Sequence, residues 1–220
     1  MKLLVLKDFN DYQDCDLIIH FANNIDEKLL YKLSEFGKQV IIIPQLLLYC
    51  KDSEYNSLKT FYEELCDEYP LIHFLDNDSF AFGGYNFIGS LLWTNFSLFG
   101  DNLKIRKEFN KLHYIPKITQ PGNNQITNMT PTNWKVLFNE SFKFINDSLK
   151  GNKNNIILTG FGVIKGDGHS PLFSNDMGLW ISENKNNIKC CISVNSNTRI
   201  TNSIQDIEIH NVLHSEIIDV

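Results

Sequence analysis

The sequence predicts an α/β protein built on a mainly parallel sheet. Short, continuous apolar runs at residues 2–6 (KLLVL), 16–21 (DLIIHF), 39–43 (QVIII) and 155–159 (NIILT) read as buried strands. Segments with apolar residues at helical spacing stand between several of these runs, and that alternation is the mark of strand–helix–strand units. The chain has 220 residues, 43% of them hydrophobic, enough for one domain over residues 1–220 with a proper core.

In chain order, the first strand stops at Lys7-Asp8 and the second covers residues 16–21. Residues 25–36 carry Leu29, Leu30, Leu33 and Phe36 on one helical face, with Asp26 and Glu27 in the first turn and Gly37 as the stop. A third strand follows at 39–43. Residues 53–66 then form an amphipathic helix through Leu58, Phe61, Tyr62 and Leu65. Residues 71–75 are a fourth strand, and 80–88 a hairpin turning at Gly83-Gly84. Residues 102–129 are polar, interrupted by Pro116, Pro121 and Gly122, and read as a long irregular connection with a functional or mobile role. Thr130 and Pro131 suit the N-cap and first position of a helix running to about Lys150, with Trp134, Leu137, Phe138, Phe142, Ile145 and Leu149 inward. After the strand at 155–159, short strands are expected at 179–182, 188–194 and 198–201. Residues 205–218 close the sheet or lie on it.

Composition excludes several functions. A net charge of −6 argues against a nucleic-acid surface. The run VIIIPQLLLYC is too short to span a bilayer and is broken by Pro44 and Gln45, and the N-terminal run is too short for a signal peptide. Five cysteines (Cys15, Cys50, Cys66, Cys190 and Cys191) are odd in number and lack metal-type spacing, so reduced core thiols in a cytoplasmic protein are expected. Cys190 and Cys191 point to opposite faces of a strand and cannot chelate one ion together.

The least generic stretch is 87–101, FIGSLLWTNFSLFGD. Gly89 in mid-run marks a bulge or a close backbone approach. The segment reads as a buried strand that breaks at Gly89-Ser90 and hands over to a loop around Trp93. Taken alone it also reads as an aromatic core strand. It resembles the F-x-G-[AS]-T-L-W-T-D-F-x-L-F-G stretch of a bacterial branch of the calcineurin-like metallophosphoesterases, with Leu91 in place of Thr and Asn95 in place of Asp.

That resemblance implies a two-sheet sandwich flanked by helices, in α-β-β-α layers. It also implies a pair of divalent ions held at strand ends by D-x-H, G-D, G-N-H-[DE], a later His and G-H-x-H. Two close cations need carboxylates and imidazoles to offset their repulsion. Against the family pattern, the first motif falls at Asp8-Phe9-Asn10, where the Asp stays and the His is Asn. The second falls at Asn23-Asn24, without the bridging Asp. The third falls at Pro44-Gln45-Leu46-Leu47, with Gln and Leu for the metal-binding Asn and catalytic His. The fourth falls at Thr159-Gly160-Phe161, where the family has Thr-His-His. The fifth falls at residues 180–186, so that Ser182 and Asn184 take the His positions. Asn197-Thr198-Arg199-Ile200 resembles the family's N-x-T-R-[IV] strand.

The resemblance therefore implies a scaffold whose two-metal site has degenerated. Its former metal positions are Asp8, Asn10, Asn24, Gln45, Leu46, Gly160, Ser182 and Asn184. The expected function is that of a pseudoenzyme with a binding or regulatory role and a protein partner, with no catalytic residue, no metal and no cofactor. Two alternatives stand beside it. One is residual or relocated metal-dependent phosphoesterase activity, on an ion held by Asp8, Asn10 and Asn24. The other is a metal-free binder of a neutral polar ligand, lined by Asn10, Asn24, Gln45 and Asn184. Lys185 is the candidate to replace the lost metal charge beside Asp8.

Other patterns carry less. Gly160-Phe161-Gly162 through Gly166 follows a strand, but a pyrophosphate cradle needs a helix to start there, and Asp167 to Pro171 is loop chemistry. His169-Ser170 cannot supply a triad from adjacent positions. His20 and His73 on strands read as satisfied core imidazoles, and His113, His210 and His214 are scattered. Asp8, Asp14 and Asp16 read as a solvated loop before a weak cation site.

Overall fold

The computed structural model describes residues 1–6, 9, 14–120, 122, 124–165, 170–194 and 200–220. Strand β1 (Lys2–Leu6) leads to β2 (Leu17–Ala22), α1 (Glu27–Ser34), β3 (Gln39–Pro44), a 3₁₀ turn (Leu46–Tyr49), α2 (Tyr55–Asp67) and β4 (Ile72–Phe74). Then come the hairpin β5 (Asp78–Phe82) and β6 (Tyr85–Ser90), α3 (Asn102–Phe109), a small hairpin β7 (Lys117–Thr119) and β8 (Ile126–Asn128), and α4 (Pro131–Ser148). The chain closes with β9 (Asn155–Thr159), α5 (Gly178–Glu183), β10 (Ile188–Val194), β11 (Ile200–Ile204), β12 (Ile207–Val212) and β13 (Glu216–Asp219).

Two sheets face each other. The first has the order β13-β1-β2-β3-β4, parallel except for β13, and the second has the order β11-β12-β10-β9-β6-β5. In the second sheet, β12, β10, β9 and β6 run parallel, and β5 and β11 flank them antiparallel. The layering follows from strand alternation. Leu3, Val5, Ile19, Ile41 and Ile43 of the first sheet pack against Phe87, Ile156, Leu158 and Ile192 of the second. The intervening Leu4, Leu6, Ile18, Val40, Ile42, Ile88 and Ile157 point outward beneath the helices. The result is an α-β-β-α sandwich, the fold class expected from the sequence. Cys190 lies in the inner layer and Cys191 in the outer one, on the opposite faces that the strand period requires.

Local chemistry sets the boundaries. Asp26, Glu54 and Asp101 cap α1, α2 and α3 by accepting from the backbone amides of Leu29, Ser57 and Lys104. Thr130 caps α4 in a reciprocal capping box with Asn133, and Pro131 opens the helix. Gly83 (φ 59°) and Gly84 (φ 83°) form the two-residue turn between β5 and β6, a conformation that favours glycine at both positions.

As expected, β6 ends at Ser90 and hands over to the loop carrying Trp93, but Gly89 introduces no bulge. The register of β6 runs through it to Ser90 without a bulge. Its hydrogen-only side is a close approach instead, because a β-carbon there would collide with the Leu75 side chain and meet Ile43 Cδ1 at 2.8 Å.

Three expectations need correction. Residues 102–129 are not one irregular connection, since they hold α3 and the β7–β8 hairpin. Residues 179–182 are helical, within α5, and not a strand. Residues 205–218 divide, so that β12 joins the second sheet and β13 crosses to pair with β1. Expectations on Asp8, Asn10, Asp167, His169 and Asn197 to Arg199 lie outside the described residues.

Candidate functional site

The parallel strands of both sheets end at one rim. Ala22 pairs with Pro44 at the ends of β2 and β3, and Ser90 pairs with Thr159 at the ends of β6 and β9. Loops at the carboxyl ends of parallel strands form the crevice of α/β proteins. Here the crevice has a volume of about 420 Å3 and is walled by Asn23, Gln45, Leu46 and Leu47 from the first sheet and Gly160, Phe161 and Val194 from the second. Phe173 and the loop after α3 (Lys111, Leu112, His113 and Tyr114) complete it.

Gln45 is held there by its backbone amide, which donates to Ala22 O at 2.8 Å. Gly160 donates to Ser90 O at 3.1 Å, and Phe161 to Leu91 O at 3.0 Å. Gly160 also lies directly against the Pro44 carbonyl oxygen. A β-carbon at 160 would collide with that oxygen and stand 2.6 Å from Leu91 Cδ1. The rim thus joins the sheets at a point with no room for a side chain.

Asn24 turns away from this crevice. Its Nδ2 donates to Asp26 Oδ2 at 3.4 Å and its Oδ1 accepts from Lys51 Nζ at 3.3 Å. It lines a neighbouring depression with His20, Phe21, Asn23, Leu29 and Gln45. Ser182 sits on α5 and Asn184 caps its C-terminus, where Asn184 Nδ2 donates to Trp180 O at 2.9 Å. Both precede β10, beside the amino ends of β9 and β10, so they do not come to the crevice. Lys185 is exposed in that same turn, so its ammonium does not stand in the crevice either. The strand end that reaches the rim beside Thr159 is that of β10, at Ser193 and Val194. Asp8 and Asn10 lie outside the described residues.

The wall is buttressed by a buried carboxyl group that sequence reasoning passed over. Asp76, 2% exposed just beyond β4, accepts from Tyr49 Oη at 2.6 Å, Tyr55 Oη at 3.1 Å and the Leu91 amide at 3.0 Å. Burial, reinforced by the Asp76 charge, pushes both phenols well above the ordinary tyrosine range. The available signal was an acidic residue directly after an apolar strand, within reach of two tyrosines near the third strand end. The network ties the 3₁₀ turn carrying Leu46 and Leu47 to the loop after β6.

That loop is strained and clamped. Leu92 (φ 49°) and Phe96 (φ 60°) adopt the left-handed region, which bulky residues avoid. Ser90 Oγ accepts from the Leu92 amide at 2.9 Å and Thr94 Oγ1 from the Phe96 amide at 3.0 Å. Asn175 bridges Trp93 O and the Asn95 amide. Trp93, 1% exposed, packs edge-on against Tyr55, Trp134 and Phe161.

The two-metal centre implied by the resemblance does not fit these residues. Asn23 and Gln45 offer neutral amides, Leu46 offers nothing, and a side chain at position 160 would need the Pro44 backbone to shift. Among the described residues, no group of three or more His, Cys, Asp and Glu side chains converges in an arrangement able to hold a metal ion. Cys50, half-buried beside the crevice, donates to Leu46 O, and burial pushes its thiol up to about 11, far from a reactive thiolate.

No family model matches the sequence. Uncharacterized protein L509 of Acanthamoeba polyphaga mimivirus is 31% identical over 179 residues, which cover 78% of this chain and 60% of that protein. The chain thus matches about 60% of the length of this curated relative. Among solved structures, the phosphopantetheinyl hydrolase PptH from Mycobacterium tuberculosis superposes with a TM-score of 0.61 at 13% identity, over 89% of this chain and 77% of that one. A second solved structure matches with a TM-score of 0.57 at 13% identity, over 96% of this chain and 89% of its own. At this identity the likeness establishes the fold, which is metallophosphoesterase-like, with two large sheets flanked by helices. Among the described residues, no helix is long and apolar enough to cross a membrane.

Proposed function

We propose that this protein is a metallophosphoesterase-fold scaffold that does not run binuclear phosphoester chemistry and uses its crevice to bind. The observation that carries this reading is the contact between Gly160 and the Pro44 carbonyl. The resemblance assigns a His to this position, yet a β-carbon there would force the Pro44 backbone to shift. The loss is therefore built into the backbone packing, not confined to a side-chain exchange. Amides at Asn23 and Gln45 cannot offset the repulsion of two divalent cations.

The test is metal content and turnover. After incubation with Mn²⁺ or Zn²⁺ and gel filtration, elemental analysis is expected to find no stoichiometric metal. Hydrolysis of bis(p-nitrophenyl) phosphate should not exceed that of the heat-denatured protein or a metal-only blank. One or more ions per chain, or metal-dependent turnover above these controls, would sink the reading and favour residual or relocated hydrolase activity.

A second reading, uptake of a small neutral polar ligand without metal, is favoured by the paired amides of Asn23 and Gln45 on the crevice wall. A thermal-shift screen against nucleosides and sugars tests it. A shift abolished by Gln45→Leu supports it, and no shift for any of them rejects it.

A further inference from the structure

The crevice does not end at Leu47. A second open depression, of about 530 Å3, adjoins it and shares Leu112, His113 and Tyr114 as a common ridge. The two differ in chemistry. The first presents Leu46, Leu47, Phe161, Phe173 and Val194, and the second presents Lys51, Lys117, Asp52 and Asn128. Leu47 is 44% exposed and Tyr114 63% exposed, large apolar surface left to water beside this groove.

The charge is unusual for the molecule. Across both linings stand Lys51, Lys111 and Lys117, with Asp52 beside Lys117 and Glu108 beside Lys111, so the described groove is locally basic by one charge. The whole chain carries −6. Lys117 reaches Asp52 at 3.2 Å and Lys111 reaches Glu108 at 2.6 Å, while Lys51 is engaged by the neutral amide oxygen of Asn24. These pairs are exposed and individually weak, so an incoming carboxylate can compete for the lysines. An acidic protein that gathers lysines along one apolar groove is complementary to a ligand that is both apolar and acidic.

From this complementarity we infer that the joined groove binds an extended acidic peptide segment of a protein partner. A large apolar side chain of that segment enters between Leu46, Leu47 and Phe161, and its flanking carboxylates meet Lys51 and Lys117. The groove is open rather than enclosed and is made of two depressions joined at Leu112 to Tyr114, which suits a chain laid across it better than a compact ligand swallowed by it. The inference names the partner of the binding site proposed above and rests on that non-catalytic reading.

A random-peptide display library, selected on the intact protein and counter-selected on Leu47→Asp/Lys51→Glu, tests it. Both positions are exposed, so the double variant should fold, and a matching thermal midpoint checks that. If the midpoint falls, Lys117→Glu serves as the counter-selection protein. Enriched peptides should pair a large apolar residue with neighbouring Asp or Glu. The best of them, synthesised and labelled, should bind about tenfold or more weakly to Lys51→Glu/Lys117→Glu, and more weakly as salt is raised. No enrichment over the counter-selected variant, or enriched peptides without acidic residues, would overturn the inference. So would binding of dodecyl phosphate at the groove without peptide enrichment, which would assign the site to a small amphiphile. None of these signals depends on metal or phosphoester turnover, so failure of the partner class and failure of the non-catalytic reading are read separately.

Discussion

The α-carbon of Gly160 and the carbonyl oxygen of Pro44 lie in such close contact that no β-carbon fits between them. This contact joins the carboxyl ends of the two sheets. Gly160→Ala should destabilise the fold by about 1–3 kcal/mol, the usual cost of overpacking, because the obstacle is backbone and cannot rotate away. Urea denaturation checks it. A loss near zero would mean that the rim is loose and that position 160 has room for a metal ligand after all.

Asp76 is the hub beneath the 3₁₀ turn. Asp76→Ala leaves the phenols of Tyr49 and Tyr55 and the Leu91 amide without their acceptor in a buried site, at a cost of about 3–5 kcal/mol. Asp76→Asn keeps an oxygen acceptor and should cost less, while Tyr49→Phe should cost about 1.5–3 kcal/mol. Equal stabilities for Asp76→Ala and wild type in denaturant would remove the network from the account of how Leu46 and Leu47 are positioned.

Trp93 anchors the loop after β6 from inside the core. It touches Tyr55, Trp134 and Phe161 with ring centroids 5.5, 5.2 and 6.3 Å away. Trp93→Ala should cost about 3–5 kcal/mol. A change below about 0.5 kcal/mol in equilibrium unfolding would be a surface-like value and would contradict that placement.

Acidification should weaken the fold through two histidines. Burial holds His20 and His73 below the ordinary imidazole value. His20 engages Leu6 O at 3.0 Å, and His73 engages Gln39 Oε1 at 2.6 Å while stacking on Phe80. Their folded-state values are lower than in the unfolded chain, so the unfolded chain binds protons first as pH falls. Their contribution is therefore present above about pH 6.5 and is lost as pH drops through that value toward the depressed ones. Urea midpoints at about pH 7.5 and 5.5 should differ less in His20→Gln/His73→Gln than in wild type. An equal pH response in the two proteins would refute the assignment.

Much of this architecture was legible because it is written in local pattern. The apolar runs at 2–6, 39–43, 155–159 and 188–194 are strands, and Thr130-Pro131 starts α4, because side-chain period and capping chemistry act within a few residues. The helix at Gly178–Glu183 was misread as a strand, since a six-residue apolar segment carries no period long enough to decide. The motif match that places Ser182 and Asn184 at the rim follows sequence alone, whereas the rim beside Thr159 is supplied by β10 through Ser193 and Val194.

The sequence by itself determined the α/β class, the strands that end at the crevice and the uncharged residue types, Asn23, Gln45 and Leu46, that follow two of them. Those properties depend on residue type and spacing along the chain. Only the tertiary structure decided that Asn23 rather than Asn24 faces the main crevice, that the Lys111 to Tyr114 loop walls it, and that Asp76 braces Tyr49 and Tyr55. It alone decided that Gly160 is closed off by Pro44, more than a hundred residues earlier in the chain. The physical reason is that such contacts join residues far apart in sequence, where no local preference specifies which side chain meets which, and the packing of two sheets at their common edge does.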